Sequence, residues 1–309
     1  GVPPVAPSST GVPPVAGVPP VAPTLVERLR DYMMKAIKEA KIHTSWINDN
    51  QEYDAAMARF VEGTLTAPSS RRFLASFLPF QARVAGLAVA NSLAQVVLKT
   101  GSPGVPDFYQ GTELWDLNLV DPDNRRPVDF AARRAALEAL APLLPTLPGD
   151  AAGRDDDQRL PDRLRTIAGM LDDWGDGRIK LWVTATALRA RRAWPGLFVG
   201  GDYLPLQASG HAAAHVFAFA RTPSPAPASP SAALILVPRL VARLGEGWRE
   251  WAAAWGPTFV ALPPAVTGRR WTNVVTGEQV ETFENEGGEA VRVGAALANC
   301  PVAILLGQA

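Results

Sequence analysis

The chain has 309 residues, 47% of them apolar, and its 30 Lys and Arg balance 30 Asp and Glu. That length holds one large domain or two ordinary ones, and the cancelled charge removes any electrostatic pull toward nucleic acid or an anionic membrane surface. The single cysteine, Cys300 in the run ANCPVAILL, excludes an internal disulfide and a multi-cysteine zinc cage and reads as a buried thiol; with no uninterrupted apolar segment of spanning length and no secretion-signal pattern, a cytoplasmic protein is expected.

GVPPVA recurs at Gly1, Gly11 and Gly17, so residues 1–23 form a Pro/Val/Gly repeat expected to be disordered or a linker. A first helix follows, where Thr24 and Glu27 have capping-box spacing and Leu25, Leu29, Met33 and Ile37 recur at helical intervals. A loop then carries His43, Trp46 and Asn48. Asp49 or Asn50 can cap a second helix with Tyr53, Met57, Phe60 and Val61 on its apolar face, ending near Gly63. A third runs from about Phe80 to Lys99, with Val84, Leu87, Asn91, Ala94 and Leu98 on one face, and Gly101 and Pro103 stop it.

A short extended stretch at 105–109 comes next and ends in a turn at Gly111. Helix, Gly/Pro stop, short strand and polar loop is the rhythm of an α/β barrel repeat. Asp129 caps a further helix carrying Ala132, Leu137 and Leu140, residues 143–160 read as a surface loop, and helices follow at about 161–174 and 178–194. Beyond Leu197 the pattern changes to short β-branched and aromatic runs at 197–206, 215–220, 233–237, 258–262, 271–275, 290–293 and 302–306. Turn residues separate these seven strands, which suggests an antiparallel sandwich. The fold class is thus α/β plus all-β: a repeat tail (1–23), a barrel-like part (24–142), a loop and helical connection (143–196) and a β-sandwich (197–309).

On a barrel strand the C-terminal residues face the active site, so Tyr109, Gln110 and Glu113 would line a cleft there. An aromatic ring beside amide and carboxylate groups suits a sugar, although a tight turn with a packed Tyr109 has the same spacing. In the following loop Asp121, Asp123, Asn124, Arg125 and Arg126 crowd together with Asp129. The arginines either pair with these aspartates and rigidify the loop, or they touch sugar. His43 and Trp46 either contact sugar or pack a corner. His211 and His215 have helical spacing for a metal pair, but SGHAAAHVFAF reads better as a turn entering a strand with no third ligand nearby. The tryptophan-rich GWREWAAAWG (247–256) reads as a sugar platform or, more simply, as an amphipathic helix or loop packed on the sandwich. Arg189, Arg191 and Arg192 read as a solvated helix face. Neither a phosphate loop nor a Ser-His-Asp arrangement is present.

GVPDFYQGTE (104–113) resembles the eighth-strand motif of the α-amylase superfamily. Joined with KIHTSWINDNQEY (41–53), LVDPDNRRPVDF (119–130) and RIKLWVTATALRARR (178–192), it makes the chain similar to maltooligosyltrehalose synthases. The likeness runs from about residue 24 onward and is firmest over 36–135 and 178–206. It implies the C-terminal end of a (β/α)8 TIM-type barrel, its last strand and flanking helices, followed by helices and a β-sandwich. The implied activity is an isomerase: the reducing-end α-1,4 linkage of a maltooligosaccharide becomes α,α-1,1, through an Asp nucleophile, a Glu acid/base and an assisting Asp. The resemblance places those carboxylates on the fourth, fifth and seventh barrel strands, the last with a His-Asp pair. No such pair occurs here, where His43 precedes Thr44, His211 precedes Ala212 and His215 precedes Val216. The chain alone is therefore expected to be inactive, with no catalytic residue, metal or cofactor of its own. Its implied partners are a maltooligosaccharide and the remaining barrel portion, and Tyr109, Gln110, Glu113 and the 121–126 loop would bind sugar or brace the groups that do. A non-catalytic glucan-binding remnant, a decayed gene product and a fragment of another superfamily hydrolase are the rival readings.

Overall fold

A computed structural model describes residues 23–121, 123–147, 156–224, 230–266 and 268–308. The GVPPVA repeats and part of the 143–160 loop lie outside these residues. The chain divides into two compact units: one holds the residues up to Val84 together with Asp116–Val128, the other Ala85–Trp115 and Asp129–Ala309.

In the first unit α1 (Pro23–Ala40) packs against α2 (Gln51–Thr66). Helix α1 already starts at Pro23, so Thr24 lies inside it and is not its cap. Asn50 is the cap of α2: its side chain accepts from the Tyr53 amide at 3.1 Å, and Glu52 and Asp54 place negative charge at the positive end of the helix dipole. Val26, Val61 and Leu74 are buried, and Arg30 bridges to Glu62 at 3.2 Å.

Helix α3 (Arg71–Gly101) begins nine residues before the start that the sequence pattern indicates, with Pro79 inside it. Proline lacks the donor N–H and crowds the preceding turn, which is why the sequence points to a start at Phe80. With the turn before it, Pro68–Gly101 is long and apolar enough to cross a bilayer by length and composition, although Arg83 interrupts its apolar run. Its second half is a core helix, burying Val89, Ala90, Leu93, Ala94, Val96 and Val97.

Residues 105–109, where a short strand is expected, belong to no ladder. A strand exists through pairing with neighbours, and no described strand pairs here. Helices α4 (Phe130–Leu140), α5 (Asp156–Asp172), α6 (Arg178–Ala193) and the short α7 (Pro195–Phe198) follow. Asp129 caps α4, accepting from the Ala132 amide at 2.8 Å.

The strands are β1 (Asp202–Leu206), β2 (Ala208–Ser209), β3 (Val216–Thr222), β4 (Ala233–Pro238), β5 (Phe259–Ala261), β6 (Arg270–Asn273), β7 (Gln279–Asn285), β8 (Gly288–Arg292) and β9 (Ala303–Gln308). They form one antiparallel sheet in the order β1-β3-β4-β9-β6-β7-β8-β5-β2. Its two ends, β1 and β2, are separated in the chain by Gln207 alone, so the sheet rolls until it is nearly closed. Among the described residues a single rolled sheet of nine strands thus replaces the seven-stranded sandwich. Strands β2 and β7 escape the sequence pattern because one has two residues and the other, QVETFEN, has no apolar run.

Side-chain alternation along the central strands serves two cores at once. Phe219, Ile235 and Ile304 lie in register and join a cluster with Trp182, Phe198 and Leu93 from the helices. Their neighbours Ala220, Leu234 and Leu305 join a second cluster with Trp255, Trp271 and Val291. Burial on both faces explains why these strands read as continuous apolar runs. Cys300 belongs to the first cluster, and burial pushes its thiol up to about 12, so it packs without reacting.

Candidate sugar-binding segments

Within the second unit, 104–115 is anchored at both ends. The guanidinium of Arg191 donates to the carbonyls of Thr100 at 2.6 Å, Ser102 at 3.1 Å and Gly104. Arg191 is buried, not solvated as the helix-face reading has it, while Arg189 donates to Pro145 O at 3.0 Å and Arg192 is exposed. Lys99 donates to Asp107 O at 2.9 Å and sits 3.6 Å from the Phe108 ring centroid; burial lowers its pKa from the ordinary value.

The turn that follows is closed by Thr112, whose amide and hydroxyl both donate to Tyr109 O, at 3.1 and 2.6 Å. Gly111, at φ 88°, takes the left-handed conformation this turn needs. Arg133 on α4 donates to Gly111 O at 2.7 Å and to Glu113 at 3.1 Å, so Glu113 is an ion-paired brace. Lys180 on α6 donates to Leu114 O at 3.1 Å, and the Trp115 indole donates to Trp174 O at 2.5 Å. Between these anchors Tyr109 is 52% exposed and Gln110 is exposed beside it.

In the first unit Asp123 is the hub of the polar loop. Arg28 on α1 grips both its carboxylate oxygens, at 2.9 and 2.8 Å, and also donates to Leu117 O at 2.9 Å. The Leu119 amide donates to Asp123 at 2.6 Å, and Arg126 pairs with it at 3.2 Å while also bonding the Asn118 side chain. Arg125 pairs with Asp121, whose carbonyl accepts from Lys35 at 2.8 Å. Of the partners left open by the sequence, Asp121 and Asp123 are therefore used, and Asp129 is the cap of α4. Asn124 Oδ1 is buried and accepts no hydrogen bond among the described residues. His43 packs against Tyr53 with ring centroids 5.0 Å apart, so it forms a corner, whereas Trp46 is 63% exposed with Lys38 at 5.6 Å from its ring.

Arg28, Lys35, Arg133 and Arg191 are the residues that motif reading misses. Arg28 and Lys35 are seven apart, two turns on one face of α1, and that spacing is the one signal that could have paired them with the loop. His211 and His215 do not share a helix face: Ala213–His215 is a single turn leading into β3, and His215 Nδ1 lies 3.3 Å from Arg239 O. Among the described residues no group of three or more His, Cys, Asp or Glu is disposed to hold a metal ion.

The Arg28 hydrogen bonds, with the Leu119 amide and the neighbouring arginine charges, hold the Asp123 carboxyl below its ordinary value of 3.8 against a smaller desolvation effect. A depressed carboxylate contributes stability that is fully present above pH 3.8 and is lost as pH falls through the folded value. The loop should therefore loosen on acidification below that point. Asp123→Asn should loosen it at neutral pH, costing about 1 kcal/mol after allowance for solvent screening. Hydrogen exchange of the 117–126 amides should then speed up roughly fivefold; unchanged protection would remove Asp123 as the hub.

No family model matches the chain. It is 36% identical over 268 residues to a putative maltooligosyl trehalose synthase found in two strains of Mycobacterium tuberculosis; the match covers 86% of this chain and 27% of that protein. The structure of maltooligosyltrehalose synthase from Arthrobacter ramosus matches with a TM-score of 0.65 at 30% identity, over 94% of this chain and 31% of that one. A further crystal structure of a maltooligosyl trehalose synthase gives a TM-score of 0.60 at 26% identity over 95% of this chain and 31% of its own. The chain thus spans between a quarter and a third of the length of the relatives it matches.

Proposed function

This chain belongs to the maltooligosyltrehalose synthase family, as a C-terminal portion of such an enzyme, and from that premise we propose that it supplies the sugar-facing and supporting elements of the reaction while the reacting carboxylates come from elsewhere in the protein. The observation that carries this reading is the identity of 36% sustained over 86% of the chain. A remnant binder or a hydrolase fragment is not favoured, since the relatives above are synthases.

The reaction is an isomerisation of the reducing-end linkage of a maltooligosaccharide, carried out in the cytoplasm. A retaining mechanism needs two carboxyl groups about 5 Å apart, one of them kept protonated near neutrality. Asp123 is unsuited to be that acid, because its environment depresses its pKa. Glu113 is committed to Arg133. In this reading residues 105–109 become the last strand of a TIM-type barrel once neighbouring strands pair with them. Tyr109 then stacks on the apolar face of a sugar ring and Gln110 bonds its hydroxyls, while in the first unit Trp46 and the 121–126 loop bind sugar or brace the groups that do, with His43 packing the corner beside them. Phe73, Phe77, Phe80 and Val84 recur along one side of α3, exposed, with the Phe73 and Phe77 rings stacked at 5.2 Å. They provide an apolar face for the rest of the enzyme.

The purified chain incubated with maltohexaose should leave the reducing ends unchanged and form no trehalose-terminated product. Loss of reducing ends catalysed by the chain alone would overturn this division of labour.

A further inference from the structure

The tryptophan-rich motif at 247–256 takes no part in the function above. It folds as α8 (Trp248–Ala253), and its residues separate by role. Trp251 is buried against Ala90 and Val241, with its indole donating to Gly245 O at 3.0 Å. Trp255 enters the core inside the rolled sheet. Trp248 stays half-buried at the surface and donates to Asp172 Oδ1 at 2.9 Å. Arg249 grips the same carboxylate, at 2.7 Å to Oδ2 and again to Oδ1, and its guanidinium lies 4.4 Å from the Trp248 ring centroid.

These groups border a cleft of about 250 Å3 whose walls include Gly86, Trp174 and Glu250 as well as Asp172, Trp248 and Arg249. A Cβ built on Gly86 or on Gly247 would meet nothing within 4 Å, so the cleft is open beside both. Trp174 is half-buried, fixed in a T-shaped contact with Trp115 at 6.3 Å. The Arg249 hydrogen bonds, then that of Trp248, bring the Asp172 carboxyl down to about 2, so it acts as an acceptor at any physiological pH.

The composition narrows the ligand. Carboxylates outnumber the single arginine, which disfavours a phosphate or another anion. The rim is too polar for a purely apolar guest. Half-buried indoles beside a fixed carboxylate–guanidinium pair match a sugar ring, which offers C–H groups on its faces and paired hydroxyls on its edge. The volume lies below the roughly 300 Å3 from which drug-sized pockets start, so one ring is held and the rest of an oligosaccharide stays in solvent.

We propose that this cleft binds a glucosyl unit of an α-1,4-glucan, holding substrate through residues that neither the 104–115 segment nor the 117–126 loop supplies. The sugar-binding character rests on the cleft itself, and the choice of an α-glucan rests on the proposed function. The test is calorimetric titration of the purified chain with maltotetraose and, in parallel, cellotetraose. Saturable binding of maltotetraose is expected, weakened about tenfold by Gly86→Leu, which fills the cleft from an open helix position, and likewise by Arg249→Ala. The thermal midpoint of Gly86→Leu should be unchanged or raised, since leucine is the better helix former. Absence of saturable maltotetraose binding, or binding that neither variant weakens, overturns the site. Preference for cellotetraose overturns the α-glucan assignment and leaves the maltohexaose turnover result above untouched, so the two readings fail separately.

Discussion

Arg221→Ala is expected to destabilise the chain by about 4 kcal/mol, because it removes three charge-assisted hydrogen bonds from a fully buried site. Arg221 on β3 is 0% exposed and donates to Gly101 O at 3.1 Å, Asp202 O at 3.0 Å and Gly201 O at 2.5 Å. Burial, and then the charge of nearby Arg191, push its pKa down from the usual arginine value, with Asp202 opposing. What compensates is the carbonyl end of α3, whose last oxygens have no partner in the helix and carry the negative end of its dipole. Gly101 brings that end close to the sheet: a Cβ there would stand 2.6 Å from Ile235 Cγ1. Arg221→Met retains much of the buried stem but none of the donors, so it should recover only about 1 kcal/mol of the loss. Urea unfolding should show a lowered midpoint at unchanged m-value. A loss under about 1 kcal/mol for the alanine variant would mean that the three carbonyls find other donors.

Trp182→Ala should cost a similar amount, about 4 kcal/mol, for a different reason. Trp182 on α6 is 0% exposed within the cluster shared by the helices and one face of the sheet, and its indole donates to Val275 O at 2.8 Å. Truncation leaves a cavity and an unsatisfied carbonyl together. Trp182→Phe separates the two, since most of the ring remains; it should cost about 1.5 kcal/mol, the share owed to the stranded Val275 carbonyl and a smaller void. Equal losses for both variants in thermal or urea unfolding would place the whole effect on the hydrogen bond.

Local patterns are readable at several places where near neighbours decide a residue's role, although Thr24, with capping-box spacing, lies inside α1. Asn50 and Asp129 are caps as their positions suggest, and β3, β4 and β9 are apolar runs because both faces are buried. Strand β7 was not legible, because its place depends on β6 and β8 more than on its own alternation. Helix α3 passes through Pro79, against the local rule that ends a helix there. The Arg28–Asp123 grip spans 95 residues and the Arg191–Thr100 bond 91, and no period in the sequence reports a pairing at that range. For the candidate site, residue type and spacing single out Tyr109, Gln110, Glu113 and the acidic loop in the sequence. The basic residues on α1, α4 and α6 that hold these segments carry no such mark, because their partners lie far away in the chain.

Whether this chain can serve as the C-terminal portion of a working synthase is tested by a graft. Residues 24–309 would replace the matching portion of the Mycobacterium tuberculosis relative, and the chimera would be assayed on maltohexaose for loss of reducing ends without release of glucose. Conversion to a non-reducing, trehalose-terminated product is expected. A chimera that melts cooperatively yet leaves the substrate intact, or only hydrolyses it, would contradict the assignment of this chain as a working portion of a maltooligosyltrehalose synthase.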